Sequence, residues 1–143
     1  MRSLGVLGVL RPLRALGLMS LIALGGCGDA PTPEQQAAMA AQGFYCHLAA
    51  GEYEQFLEGM VGTDSLPEAY REQLLTGYRQ FIAQQQEKHE GITSVSLSAS
   101  TSTVTDSLAC YTSVFLLLCY GDSTQEEIVV PMVCLPDGRW RMK

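Results

Sequence analysis

The fold of this chain is decided by residues 112–130, TSVFLLLCYGDSTQEEIVV, in which two β-rich runs flank Gly121-Asp122-Ser123. Val, Ile, Phe and Tyr favour strands, whereas Gly, Asp and Ser are preferred in turns. The pattern predicts an antiparallel hairpin with a three-residue loop, in which Tyr120 faces Thr124. A two-residue loop is the alternative, and it would shift the register by one residue and turn one strand's side chains to the opposite face.

On the three-residue register the hairpin has two apolar faces. One face suits a core and carries Leu108, Val114, Leu116, Leu118, Ile128, Val130 and Met132. The other face, called here the outer-face patch, carries Tyr111, Phe115, Leu117, Val129 and Val133. It is more apolar than a solvated sheet face needs to be, and exposed patches of this kind mark interfaces. Coverage by sheet curvature or by a flanking loop is the alternative.

The alternation of apolar and polar residues extends to both sides of the hairpin. It predicts strands at about 92–102, 106–120, 125–135 and 139–142. Pro136-Asp137-Gly138 supplies the turn before the last strand. Consecutive strands joined by short turns predict an antiparallel meander of four strands.

Helical periodicity replaces this alternation before residue 92. Thr32-Pro33-Glu34-Gln35 has the form of a capping box and opens a helix, which Gly51 ends in a left-handed conformation. A shorter helix follows at 52–60. Ser65-Leu66-Pro67-Glu68 predicts a second capping box and a long helix that ends at about His89. The apolar stripe expected on this long helix is Tyr70, Leu74, Tyr78, Phe81 and Ile82.

Helices followed by a meander define an α+β fold, with N-terminal helices packed on a curved four-stranded antiparallel sheet. Three features carry a family resemblance over residues 33–143: the order of elements, Phe44-Tyr45 followed by Leu48 and Gly51, and the closing Asp137-Gly138-Arg139-Trp140-Arg141-Met142. In these the chain resembles small bacterial lipoproteins of unknown function with a cystatin-like, nuclear-transport-factor-two-like domain. The resemblance implies a cystatin-like roll with a conical pocket, which enzymes of that superfamily use for steroid or polyketide chemistry.

The first 26 residues have the organisation of a lipoprotein signal peptide. Arg2, Arg11 and Arg14 precede an uncharged run, Ala15 to Gly26, that is shorter than the ~20 apolar residues needed to cross a bilayer. The following Leu24-Gly25-Gly26-Cys27 resembles lipoprotein cleavage sites, which implies that Cys27 becomes the acylated N-terminus. An ordinary signal peptide with a chance cysteine is the alternative.

Three segments follow from this interpretation: a signal peptide at 1–26, the lipidated cysteine with its tether at 27–32, and the domain at 33–143. The lipid anchor makes the membrane a partner and the cell envelope the expected location. Gly28 follows Cys27 where some bacteria use aspartate to retain lipoproteins in the inner membrane, so the outer membrane is favoured, with the domain facing the periplasm or the cell surface.

Charge and cysteine usage limit the partners further. Without the signal arginines, six basic side chains stand against fifteen acidic ones, a formal charge of −9. Nucleic acid and anionic lipid headgroups are bound by basic patches, so neither is expected as a partner. The four cysteines after Cys27 lack Cys-x-x-Cys spacing, so no metal site is expected, and no cofactor motif occurs.

A disulfide between Cys110 and Cys134 is predicted, because the three-residue loop places these residues directly opposite each other in an oxidising compartment. The alternative is that both stay reduced as small apolar residues. Cys46 and Cys119 have no evident partner and are expected to be thiols.

No spaced catalytic constellation occurs, and the two histidines fit ordinary roles: His47 at a solvated rim and His89 near a helix C-terminus. The sequence therefore predicts a binding or scaffold module rather than an enzyme, with an envelope protein or a second copy of the chain as its partner. A pocket enzyme or a carrier of small hydrophobic ligands is the alternative.

Overall fold

The computed structural model of the chain describes residues 30–98 and 111–143. Three helices precede four strands in these residues. The helices are α1 (Pro33–Ala49), α2 (Tyr53–Glu58) and α3 (Glu68–His89). The strands are β1 (Ile92–Leu97), β2 (Tyr111–Tyr120), β3 (Gln125–Cys134) and β4 (Trp140–Met142). Cys27, Leu108 and Cys110 lie outside the described residues, as do the signal peptide and most of the segment predicted to join the first two strands.

The predicted start and end of α1 are confirmed. The Thr32 hydroxyl accepts a hydrogen bond from the Gln35 backbone N–H (3.2 Å), and the Gln35 side chain accepts one from the Thr32 N–H (2.9 Å). Gly51 has φ +80°, the left-handed conformation that favours glycine after a helix. Ala37, Ala41 and Leu48 are buried, and the small side chains of the two alanines let the helix approach the sheet closely.

The second predicted capping box is wrong. Helix α3 begins at Glu68 with Pro67 in the N-cap position, and no side chain caps it. Ser65 lies instead in a 3₁₀ turn, Thr63–Ser65, where its hydroxyl donates to the Gly62 carbonyl. Leu66 explains the difference, because a residue before proline is held in extended backbone, and its φ of −72° and ψ of 131° end the turn before the helix begins.

The stripe predicted for α3 is wrong in part. Leu75, which it omitted, is 1 % exposed, whereas Tyr70 is 50 % exposed. Tyr78, Phe81 and Ile82 do pack against the core. Leu75 lies three and seven residues before Tyr78 and Ile82, so these three share one face of a helix. The packing of α3 against α2, β1 and α1 decides which of its faces is buried, and residue periodicity does not contain that information.

The sheet is a meander with strand order β1-β2-β3-β4, and every neighbouring pair is antiparallel. In the hairpin Tyr111 pairs with Val133, Val114 with Val130, and Cys119 with Gln125. This is the register of the three-residue loop. A bulge lies between Ile92 and Ser94 in β1, where the sheet curls.

The core lies between α1 and the inner face of the curled sheet, where it contacts all four strands. The buried side chains of the sheet are the polar Thr112 and the apolar Val95, Val114, Leu116, Leu118, Tyr120, Val130, Met132, Trp140 and Met142. Strand β4 is tied to the helices at its edge, because the Met142 N–H donates to the Gly59 carbonyl (2.7 Å) and its carbonyl accepts from the Val61 N–H (2.9 Å). The described residues therefore form a helix layer on one face of a sheet.

Candidate functional site

The structure brings the five predicted residues of the outer-face patch together on the sheet face that points away from α1. Cross-strand pairs join Tyr111 to Val133 and Phe115 to Val129. Val129 is 55 % exposed and Tyr111 37 %, while Phe115, Leu117 and Val133 are half-buried. Neighbouring side chains on β2 and β3 alternate with these and are buried in the core. The patch is therefore apolar surface, not part of the packed interior.

Charged residues stand at the margin of the patch. The Lys143 ammonium lies 5.0 Å from the ring centroid of Tyr111, Glu127 pairs with Leu117 across the hairpin, and Arg141 pairs with Val133. An apolar centre with a polar rim is the usual anatomy of a protein interface. Tyrosine and arginine are also the residues that carry much of the binding energy in such interfaces.

A second feature is a cleft of 570 Å³ that lies between the segment from Glu58 to Arg71 and the end of the sheet at Leu135, Arg139 and Arg141. Nothing in the sequence predicts this cleft. Its walls come from residues far apart in the chain, and they include three of the six basic residues of the predicted mature chain. No short sequence motif indicates that these three basic residues lie close together in the fold.

The histidines occupy separate environments. His47 Nδ1 lies 3.3 Å from Glu52 at the half-exposed end of α1. His89 Nδ1 lies 3.0 Å from Asp122 Oδ2, and its ring stacks on Tyr120 at a centroid distance of 4.6 Å. The two histidines therefore have different acidic partners at the ends of different helices.

The contacts of His89 hold the hairpin turn against the end of α3. The Asp122 N–H donates to the His89 carbonyl (3.1 Å), and hydrogen bonds from Thr124 and then His89 lower the pKa of Asp122 to about 2. Burial and the hydrogen bond that the Tyr120 hydroxyl donates to Glu126 (2.7 Å) raise the pKa of Tyr120 to about 12. These shifts favour the charged carboxylate and the neutral phenol, the forms that make the observed contacts.

Among the described residues, no group of three His, Cys, Asp or Glu side chains is placed to hold a metal ion. Within the same residues, no helix combines the length and apolar character needed to span a membrane.

Two of the cysteines, Cys46 and Cys119, are free thiols; Cys46 is exposed and Cys119 is half-buried. The Cys134 Sγ lies 3.6 Å from the Leu135 carbonyl, and its predicted disulfide to Cys110 stays a prediction because Cys110 lies outside the described residues.

Helices on one face of a curled four-stranded antiparallel sheet define the nuclear-transport-factor-two-like (NTF2-like) α+β fold, and this chain has that fold. A solved structure shares it: a protein from Campylobacter jejuni, described as a candidate NTF2-like transpeptidase, has a TM-score of 0.55 over 71% of this chain and 92% of its own, with 10% sequence identity. No protein-family model and no curated protein sequence matches the chain.

Proposed function

We propose that this protein is a lipoprotein of the bacterial cell envelope that works as a binding module. Cys27 carries the lipid anchor in the outer membrane, and the outer-face patch binds another envelope protein or a second copy of the chain. The observation that carries the proposal is the patch itself, five apolar side chains side by side on the face of the sheet opposite α1, with Val129 55 % exposed.

The patch has the chemistry of a protein interface. Its aromatic residues, Tyr111 and Phe115, bury a large apolar area with few rotatable bonds, which lowers the entropy lost on binding. Lys143, near Tyr111, and Glu127, opposite Leu117, add charges that orient a partner.

The acidic character of the mature chain favours a protein over the lipid surface as the occupant of this patch. A formal charge of −9 repels anionic headgroups, and the described domain is joined to the anchor by a short tether that starts at Cys27. The domain then stands away from the bilayer, with its sheet face accessible in the periplasm or at the cell surface.

The proposal assigns the chain no catalytic step and no cofactor. A general acid or base in a pocket needs an ionisable side chain that can reach a substrate. The imidazole of His89 is held by Asp122 and Tyr120, and that of His47 lies beside Glu52. Both side chains support local structure in the contacts they make.

A substitution in the patch tests the proposal. Val129→Lys places a charge at the most exposed position of the patch, and we expect it to abolish co-purification of the partner, or dimer formation on a sizing column, from detergent-solubilised envelopes. Met39→Lys is the matched control, because Met39 is 63 % exposed on α1, on the other side of the sheet. Equal loss in both variants, or retention of the complex by Val129→Lys, would contradict the proposal.

A further inference from the structure

The 570 Å³ cleft is separate from the outer-face patch, since none of the five patch residues lines it. Its volume falls within the ~300–1,000 Å³ of typical small-ligand sites. The charged residues of its lining are three arginines and three acids, Arg71, Arg139, Arg141, Glu58, Asp64 and Glu68. Met60, Val61, Leu66 and Leu135 add apolar surface.

Two of the three guanidinium groups already have carboxylate partners from outside the lining. Arg71 pairs with Glu54, and the Arg139 Nε lies 2.5 Å from Asp137 Oδ2. Arg141 differs: it donates to the Trp140 carbonyl (2.8 Å), and its guanidinium lies 5.7 Å from the ring centroid of Phe44. Across residues 30–98 and 111–143, no carboxylate lies within ion-pair distance of it, although Asp137, the partner of Arg139, is near enough to feel its charge.

The acids of the cleft show the complementary pattern. Within the described parts of the chain, Glu58, Asp64 and Glu68 form no ion pair with a basic side chain. The cleft therefore offers one half-buried guanidinium, oriented by an aromatic ring, together with three carboxylates that form no ion pair. Glu54 is the ion-pair partner of Arg71, and Glu68 and Glu58 act on the same guanidinium from a longer distance. A planar guanidinium binds a carboxylate through two parallel hydrogen bonds, and carboxylates bind an ammonium group.

We propose that this cleft binds a small zwitterion, a molecule of the amino acid or short peptide class with a free ammonium and a free carboxylate. Arg141 receives the carboxylate of the ligand, and the acidic wall receives its ammonium. The apolar lining accommodates the carbon chain between them. Arg141 also stands at the margin of the outer-face patch, but the cleft contains none of the five patch residues, so either site can fail its test without the other.

Glycylglycine is the probe that tests the proposal, with two blocked relatives as comparisons. N-acetyl-glycylglycine lacks the ammonium, and glycylglycinamide lacks the carboxylate. In an NMR titration of the full chain in detergent, we expect saturable shifts of the amides of Val61, Gly62 and Thr63 with glycylglycine. Each blocked relative should bind at least about tenfold more weakly, because each leaves one charged group of the cleft unpaired.

Variants assign the two halves of the site. Arg141→Gln should weaken glycylglycine binding about tenfold or more, but should change the binding of glycylglycinamide little. Glu68→Gln should have the opposite selectivity. Arg79→Gln is the matched control, since Arg79 also lies over an aromatic ring, 5.9 Å from the centroid of Tyr53, but does not line the cleft.

The proposal is wrong if glycylglycine produces no saturable shifts at Val61 to Thr63 up to about 10 mM. It is also wrong if the three probes bind equally, or if Arg79→Gln weakens binding as much as Arg141→Gln does. Should Arg141→Gln fail to fold, Arg141→Lys keeps the charge and removes the planar fork, and weaker binding of glycylglycine to that variant is expected. The comparison of the three probes needs no variant at all.

Discussion

Gly59 shows how one missing side chain sets the contact between α1 and the edge of the sheet. A Cβ atom at this position would lie 2.5 Å from Cδ1 of Phe44, closer than side-chain atoms pack. The same residue accepts a hydrogen bond from the Met142 N–H, so the backbone cannot move away without loss of that contact. The hydrogen of glycine lets the Phe44 ring and the β4 edge meet.

The substitution Gly59→Ala should therefore destabilise the fold by about 1–3 kcal/mol, the usual cost of overpacking. Gly77→Ala is the control, because a Cβ at Gly77 meets nothing within 4 Å in the middle of α3. That change should stabilise the protein by about 0.5–1 kcal/mol, since alanine favours a helix more than glycine does. Denaturant unfolding measures both. Equal effects of the two substitutions would mean that Phe44 does not pack on Gly59.

Asp122 supplies a pH dependence that can be measured at one residue. Hydrogen bonds from Thr124 and His89 lower its pKa from 3.8 to about 2, which means that the folded state favours the ionised carboxylate. The stability from these contacts is fully present above pH 3.8 and is lost as the pH falls toward 2. Asp122→Asn should remove this component of the acid dependence. NMR titration of the side-chain carboxyl reports the pKa, and an inflection at the ordinary value would contradict the observed contacts.

At the scale of elements, the hairpin was predictable because its information is local. Gly121-Asp122-Ser123 specifies a three-residue loop, and the loop then fixes the pairing from Tyr111 with Val133 to Cys119 with Gln125. The first helix was predictable for the same reason, through the Thr32 and Gln35 cap. In both cases the information comes from neighbouring residues, although for the hairpin the sequence also left a two-residue loop open, and the observed pairing excludes it.

Long-range packing explains what sequence analysis missed at this scale. Leu75 is buried because α3 packs against α2, β1 and α1, and no pattern within the helix indicates that packing. The cleft likewise forms where Arg71 meets Arg139 and Arg141, which belong to different elements. The extended backbone of Leu66 before Pro67 was visible in the sequence, and it would have excluded the second capping box.

The hairpin register also supports a prediction about the cysteines. The observed pairing continues to Tyr111 and Val133, so the next pair on the same register would be Cys110 with Cys134. Opposed residues in antiparallel strands have Cα atoms ~4.5–5.5 Å apart, within the range that a disulfide spans. We expect mass spectrometry of unreduced, digested protein from the envelope to find the peptide that joins Cys110 to Cys134. A link from Cys134 to Cys119 would refute both the bridge and the register.

At the scale of the whole molecule, the proposed function gives separate tasks to the predicted anchor and to the domain. On the proposed function, the signal, the lipidated cysteine and the tether would determine where the domain works, and the sheet would determine what it contacts. The location is predicted from the sequence of residues 1–29 alone, which lie outside the described residues. The outer-face patch, in contrast, is observed in the fold. A location can be predicted from a short sequence motif without knowledge of the fold. The ligand of the domain cannot, because it depends on which side chains the fold brings together.

Cys27 is the residue on which the predicted location depends. Cys27→Ser removes the thiol that we propose forms a thioether with a diacylglycerol, so the variant should accumulate as an uncleaved precursor or leave the membrane fraction as soluble protein. Cys46→Ser, at an exposed position on α1, serves as the control and should stay in the membrane fraction. Fractionation with mass measurement of the N-terminus distinguishes these results. Normal membrane attachment of Cys27→Ser would show that the anchor is elsewhere.

Photo-crosslinking in living cells tests the central claim most directly. A benzophenone amino acid replaces Val129 in the outer-face patch or, as the control, Met39 on α1, both of which are exposed. An anchored binding module predicts a discrete adduct with an envelope protein or with a second copy from position 129, no such adduct from position 39, and a weaker adduct when Cys27 is also Ser. No adduct from position 129, or the same adduct from both positions, would contradict the account.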